Sequence, residues 1–235
     1  VFKVLNEAAN ESGIKTFVVG GFVRDILLQR PNKDIDIVVE GNGIDFAKKV
    51  ASKLENVIGL SVFKNFGTAM IKLDDYEIEF VGARKESYRA ESRKPIVENG
   101  TIAEDQERRD FTINAMSISL NSADFGELID PFDGQKDLDI GILKTPLHPD
   151  QTYSDDPLRM MRAIRFASQL HFKIEDQSFN SIVKNQERLS IVSAERINIE
   201  LNKIMESPQP SIGLELLYLT GIMEQILPEV HALQG

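Results

Sequence analysis

Phe17-Val18-Val19-Gly20-Gly21-Phe22-Val23-Arg24-Asp25, followed a few residues later by Asp34-Ile35-Asp36, decides the fold. Thr16 to Val19 is a β-branched and aromatic run, Gly20-Gly21 breaks it, and Phe22 to Gln29 carries a helical pattern. The plain reading is strand, turn, helix. Lys33 to Val39 then alternates charge with Ile and Val. In such a strand Asp34 and Asp36 point one way while Ile35 and Ile37 point into the core. Two carboxylates so placed can hold a divalent cation, and magnesium, which takes oxygen ligands and substrate phosphates together, suits phosphoryl or nucleotidyl transfer. By itself an Asp-x-Asp on a strand is more often a solvated face.

Gly20-Gly21 adds to the pair. Glycines let a backbone approach a polyphosphate, and the first turn of the following helix offers N–H groups to it; a tight turn with positive φ is the plainer alternative. Arg24 in that first turn opposes the helix dipole and calls for a compensating anion such as a phosphate, and Asp25 can pair with an arginine. Further along, Gly41-Asn42-Gly43 precedes a helical pattern over Ile44 to Leu54. Ile58 to Phe63, Thr68 to Leu73 and Tyr76 to Gly82 read as strands, with a hairpin turn at Asp74-Asp75. Glu77 and Glu79 share a face of the last strand. Glu79 is expected to join Asp34 and Asp36 in a two-metal site, and Glu77 to be solvated. Glu86 to Arg109 is polar and weakly periodic, which predicts a mobile loop.

From Thr152 onward the pattern is helical: Ser154 to Leu170, Asp176 to Asn185, Ser193 to Glu206 and Ser211 to Leu219. The expected fold is therefore α+β: a mixed sheet of about five strands with flanking helices over 1–148, then an all-helical part over 149–235, with the active site in the cleft between them.

The 235 residues, 42% of them hydrophobic, suffice for packed cores, and no run reaches the roughly 18 apolar residues of a membrane span. A cytoplasmic protein without membrane association is expected. Val1 is not an initiator methionine, which suggests a piece of a longer chain. With no cysteine, thiolate zinc sites and cysteine nucleophiles are excluded, and only His148, His171 and His231 offer imidazole. Chemistry must rest on carboxylates. A net charge of -10 opposes nucleic-acid binding, but Arg84, Lys85, Arg89, Arg93, Lys94, Arg108, Arg109, Arg159, Arg162 and Arg165 are concentrated enough to give local positive surface.

Five ordered stretches together resemble the class II tRNA nucleotidyltransferase and bacterial poly(A) polymerase family. They are Phe17 to Asp25 with Asp34-Ile35-Asp36; Glu77 to Arg84; Arg108-Arg109-Asp110-Phe111-Thr112-Ile113-Asn114-Ala115-Met116; Asp155-Asp156-Pro157-Leu158-Arg159-Met160-Met161-Arg162-Ala163-Ile164-Arg165-Phe166-Ala167; and Ala194 to Ile197 with Glu200-Leu201. The resemblance implies a polymerase-β-type catalytic head. It implies magnesium on Asp34, Asp36 and Glu79, and an incoming triphosphate at Gly20, Gly21, Arg24 and Arg109. Asp156 and Arg159 would read the base of CTP or ATP, with Arg162 and Arg165 adding phosphate or structural contacts. An aspartate accepting from an exocyclic amine and an arginine donating to ring acceptors suit cytosine and adenine. Asp155 stands where the family usually has glutamate.

Helix physics alone reads the Asp155 stretch differently, as N-caps at Ser154 and Asp155, proline in the first turn and an exposed arginine face. Asp110 and Asn114 read as capping residues, and Arg196 as part of the helical fold. Among the activities of the family, Phe66-Gly67-Thr68-Ala69 resembles the tRNA type more than the poly(A) type, and the length of the 86–107 segment disfavours enzymes adding only two cytidines. CCA addition to tRNA is the leading expectation. The alternatives are poly(A) synthesis, partial (CC or A) addition, or a catalytically degenerate RNA- or nucleotide-binding protein.

Overall fold

The computed structural model describes residues 1–89 and 92–233, and side chains except at 85–97. In chain order the strands are β1 (Thr16–Val19), β2 (Asp34–Val39), β3 (Gly59–Phe63), β4 (Thr68–Lys72), β5 (Glu77–Gly82), β6 (Arg84–Arg89), β7 (Ser92–Asn99), β8 (Ser117–Ser119), β9 (Leu128–Ile129), β10 (Ile142–Leu143) and β11 (Lys173–Ile174). The helices are α1 (Phe2–Ser12), α2 (Gly21–Leu27), α3 (Gly43–Ala51), α4 (Ile102–Glu107), α5 (Thr112–Ala115), α6 (Gly134–Asp139), α7 (Pro149–Asp155), α8 (Leu158–Leu170), α9 (Asp176–Asn185), α10 (Ala194–Met205), α11 (Pro210–Leu219), α12 (Ile222–Ile226) and α13 (Pro228–His231). Contacts divide the chain into a first unit, 1–87 with 96–109 and 113–135, and a second, 88–95 with 110–112 and 136–235.

The first unit is built on a seven-stranded sheet in the order β3-β4-β5-β2-β1-β8-β9. Only β2 and β5 run parallel, and every other neighbouring pair is antiparallel. Alternation gives the sheet two characters. Val18, Ile35, Ile37, Ile78 and Phe80 are buried on one face, where α1 supplies Leu5 and Ala8 and α3 supplies Phe46, Ala47 and Val50. The Phe46 and Phe80 rings meet at 6.1 Å, and each such fully buried side chain contributes roughly 2–3 kcal/mol. On the other face Phe17, Val19, Val38 and Ala83 form a smaller cluster, and Asp34 and Asp36 continue that face toward the start of β2.

Seven strands replace the expected five because β8 and β9 are too short, at three and two residues, to show a period. The expected loop from Glu86 to Arg109 is also corrected. It contains the two-stranded β6-β7 sheet and helix α4, whose Thr101–Glu104 capping box closes its first turn. The Lys85, Arg89, Arg93 and Lys94 side chains lie outside the described residues.

The second unit centres on α8, which packs against α7, α10 and α11. Phe111 meets Phe166 edge-to-face at 5.8 Å, and Tyr153 Oη lies 2.5 Å from Ser178 Oγ, linking α7 to α9. A Cβ on Gly213 would come within 2.2 Å of Ile204 Cγ2, so any other residue there would displace Ile204 from the α10–α11 contact. Two differences from the sequence reading stand out. The expected helix Ser154 to Leu170 is broken, because Pro157 pushes Asp156 into an extended conformation (φ -135°, ψ 98°) between α7 and α8. The part expected to be all helical also holds one short strand, β11, which pairs in parallel with β10 from the preceding segment.

Candidate active site

In the first unit the carboxylates sit where three strands come into register. Val19 is the partner of Asp36 across β1 and β2, and Asp36 and Asp34 are the partners of Glu79 and Glu77 across β2 and β5. Asp34 is exposed, Asp36 half-buried and Glu79 exposed. Glu77 lies 3.1 Å from Lys72 in an exposed ion pair. Among the described residues no three His, Cys, Asp or Glu side chains converge tightly enough to hold an ion unaided.

Val19 leads straight into the glycine turn. Gly20 has φ 73° and ψ -133°, a conformation open essentially to glycine. A Cβ there would lie 2.8 Å from Arg109 Nη1 and 3.7 Å from Asp36 Oδ2, so turn, arginine and carboxylate surround one point. Burial pushes Asp36 up to about 6; the positive charge of Arg109 opposes this, while Glu79, Asp34 and Asp105 reinforce it. A buried carboxyl that resists ionisation, with Asp34 and Glu79 on the same face, offers the oxygen donors that a magnesium ion takes together with substrate phosphates.

Arg24 lies beneath the turn, and the anion it calls for is its neighbour. Its Nε and Nη2 donate to Asp25 at 2.9 and 3.0 Å, and its Nη1 donates to Asn114 Oδ1 at 2.8 Å. Asn32 donates to Asp25 Oδ2 at 2.7 Å and accepts from the Asp34 N–H at 2.9 Å, joining the arginine clamp to the first carboxylate of β2. Arg109 is held by Asp105, which is fully buried. Asn32 and Asp105 escaped the sequence reading, because polar residues in irregular or loop-like segments carry no periodic signal. Asn114, read as a cap, is a tie to Arg24.

In the second unit Asp156 Oδ1 accepts from the Leu158 N–H at 3.2 Å, and Oδ2 lies 3.5 Å from Arg196 Nη2. Arg159 Nη1 donates to Thr152 O at 3.4 Å. Arg162 donates through Nε to Asp110 Oδ2 at 2.7 Å, with Nη2 2.6 Å from the same oxygen. Arg165 is buried, 3.0 Å from Glu200 and 4.3 Å over the Phe166 ring. Asp156 thus lies just before α8 and Arg159 in its first turn, while Arg162 and Arg165 are engaged with acids of their own unit. No helix is long and apolar enough to cross a membrane among the described residues.

The family profile described as "Poly A polymerase head domain" matches residues 16–144, and that described as "Probable RNA and SrmB- binding site of polymerase A" matches residues 171–234. The chain is 38% identical to an "A-adding tRNA nucleotidyltransferase" of Aquifex aeolicus, over 91% of this chain and 26% of the relative. It is 36% identical to a "CCA-adding enzyme" of Ligilactobacillus salivarius, over 89% of this chain and 50% of the relative. Among solved structures, a CCA-adding enzyme in its apo form II superposes with a TM-score of 0.87 at 38% identity, covering 97% of this chain and 53% of that one. A tRNA nucleotidyltransferase complexed with a primer tRNA and an incoming ATP analog superposes at 0.83 and 36% identity, covering 95% and 62%. The chain spans a quarter to a half of the length of these curated relatives.

Proposed function

Because the chain belongs to the poly(A) polymerase head-domain family, we propose that it is the catalytic portion of a template-independent nucleotidyltransferase that extends RNA 3′ ends, adding CCA to tRNA from CTP and ATP. The observation that carries this reading is the convergence of Asp36, Arg109 and the Gly20 turn on one point. Asp34 and Asp36, with Glu79 on the neighbouring strand, would hold magnesium, which supplies charge neutralisation at the α-phosphate and lowers the pKa of the attacking 3′ hydroxyl. Gly20 and Gly21 admit the polyphosphate against backbone, and Arg24 and Arg109 offset its charge. Asp156 and Arg159 read the base edge, which requires Asp156 to exchange its distant Arg196 contact for an exocyclic amine. Arg162 and Arg165 support α8 through Asp110 and Glu200. In this reading residues 1–148 are the catalytic head and 149–235 select the nucleotide and bind RNA, in a cytoplasmic protein.

Addition of the terminal A alone is a second reading, favoured by the A-adding tRNA nucleotidyltransferases of Aquifex aeolicus and Halalkalibacterium halodurans, at 38% and 37% identity. Labelled CTP and ATP are offered with magnesium to tRNA transcripts ending before CCA or after CC, using this chain and the whole product of its gene. Ordered C, C, A addition on the first transcript is expected. Addition only to the transcript ending in CC assigns A addition, and long A tracts assign poly(A) synthesis. No incorporation by the whole gene product contradicts the enzyme reading.

A further inference from the structure

We infer that Asp105 is a positioning residue for the polyphosphate site, its one buried carboxylate holding both Arg108 and Arg109 and turning the Nη1 edge of Arg109 toward the Gly20 turn. The inference rests on the proposed reading of that turn as a polyphosphate cradle.

Asp105 lies on the last full turn of α4, and the two arginines follow it at i+3 and i+4, where side chains meet on a helical face. Its side chain is 0% exposed. Oδ1 accepts from Arg108 Nε at 3.0 Å and Nη2 at 2.5 Å, while Oδ2 accepts from Arg109 Nε at 3.1 Å and Nη2 at 2.9 Å. With the Nε and Nη2 edge of Arg109 fixed, Nη1 is left facing the Asn114 carbonyl at 3.3 Å and the space beside Gly20. Two guanidiniums share one carboxylate, so the clamp orients the arginines without neutralising both. Burial alone would raise the Asp105 carboxyl, but the charges of Arg109 and then Arg108 outweigh burial and hold it below the usual carboxylate range. The acid is therefore ionised at neutral pH.

The element carrying Asp105 is itself anchored. The Ile102 N–H donates to Glu40 Oε1 at 2.9 Å, and Gln106 Nε2 donates to Ser117 Oγ at 3.0 Å and Ile129 O at 3.1 Å. Helix α4 is thereby tied to the end of β2 and to β8 and β9, giving Arg109 a rigid base. Preorganisation of this kind puts a long, flexible cation in place before the ligand arrives.

Calorimetric binding of ATP and of inorganic tripolyphosphate to wild type, Asp105→Asn, Arg109→Ala and the double variant tests this. Asp105→Asn is expected to weaken both ligands about tenfold, the range of lost supporting contacts to a site, and the double variant is expected to bind no more weakly than Arg109→Ala alone. Leu5→Ala, which opens the fully buried core of α1, is the control for lowered stability and should leave both affinities unchanged. Wild-type affinity in Asp105→Asn, or losses that add in the double variant, overturns the clamp. If Arg109→Ala weakens binding and Asp105→Asn does not, the clamp alone falls; if neither does, the polyphosphate reading falls with it. Should Asp105→Asn not fold, Asp105→Glu, which keeps the charge but displaces Arg109 by a methylene, must weaken tripolyphosphate; unchanged affinity overturns the inference.

Discussion

Arg24 and Asn114, 90 positions apart in the chain, are joined by a 2.8 Å hydrogen bond from Nη1 to Oδ1. Both side chains are buried, and the bond ties the helix after the glycine turn to α5. Removing the acceptor leaves a buried guanidinium edge without its partner, which costs about 2 kcal/mol. Asn114→Ala is therefore expected to lower Tm by about 4–8 °C and to weaken nucleotide binding. A thermal melt with and without ATP checks this.

Gly20 and Gly13 both have positive φ, 73° and 62°, but only Gly20 has neighbours where a Cβ would go. Gly13→Ala meets open space and should cost about 1 kcal/mol of backbone strain with unchanged nucleotide binding. Gly20→Ala adds a collision with Arg109 Nη1 at 2.8 Å and should lose at least about tenfold in nucleotide affinity. Equal binding by the two variants would contradict the crowding at Gly20.

The Asp36 carboxyl, raised from 3.8 to about 6 mainly by burial, gives a pH dependence of definite sign. A raised folded pKa contributes stability that is fully present below the unfolded value of 3.8 and is lost as pH rises through 6. In chelator at pH 8, Asp36→Asn should therefore be more stable than wild type, by up to about 3 kcal/mol, although inactive. Magnesium must displace a proton from Asp36 below pH 6, so its apparent affinity should fall there, with proton release on binding. Melts across pH with and without magnesium separate these effects.

Asp110 accepts both Nε and Nη2 of Arg162 and is 7% exposed. Removing Asp110 takes the carboxylate from Arg162, whose side chain is 34% exposed, at about 1.5 kcal/mol once solvent screening is allowed for. Asp110→Ala should lower Tm more than Lys72→Ala, whose exposed pair with Glu77 contributes under about 1 kcal/mol.

Where the sequence carried a period or a breaker, the fold could be read. β1, β2, β4, β5, the hairpin at Asp74-Asp75 and the helices α3, α9, α10 and α11 follow from alternation, helical spacing and Gly or Pro signals. Asp34, Asp36 and Glu79 were visible because a strand places every second residue on one face, and pairing then brings Asp36 beside Glu79. β8 and β9 were not, since two or three residues show no alternation. The break between α7 and α8 is written in Pro157, but a proline also suits the first turn of a helix, which is how the sequence alone reads it. Asn32 and Asp105 work through partners distant in space or on the next turn, and such ties become legible only when the chain is folded.

The central claim, that the β2 carboxylates and the glycine turn together take a metal-bound nucleotide, is tested most directly by titrating Mn2+ as a magnesium substitute in the presence of a non-hydrolysable ATP analogue and following electron paramagnetic resonance. Wild type is expected to take up the ion with nucleotide, and Asp34→Ala/Asp36→Ala to show only the binding that free nucleotide shows in buffer. Equal uptake by the folded double variant would contradict the assignment of these carboxylates.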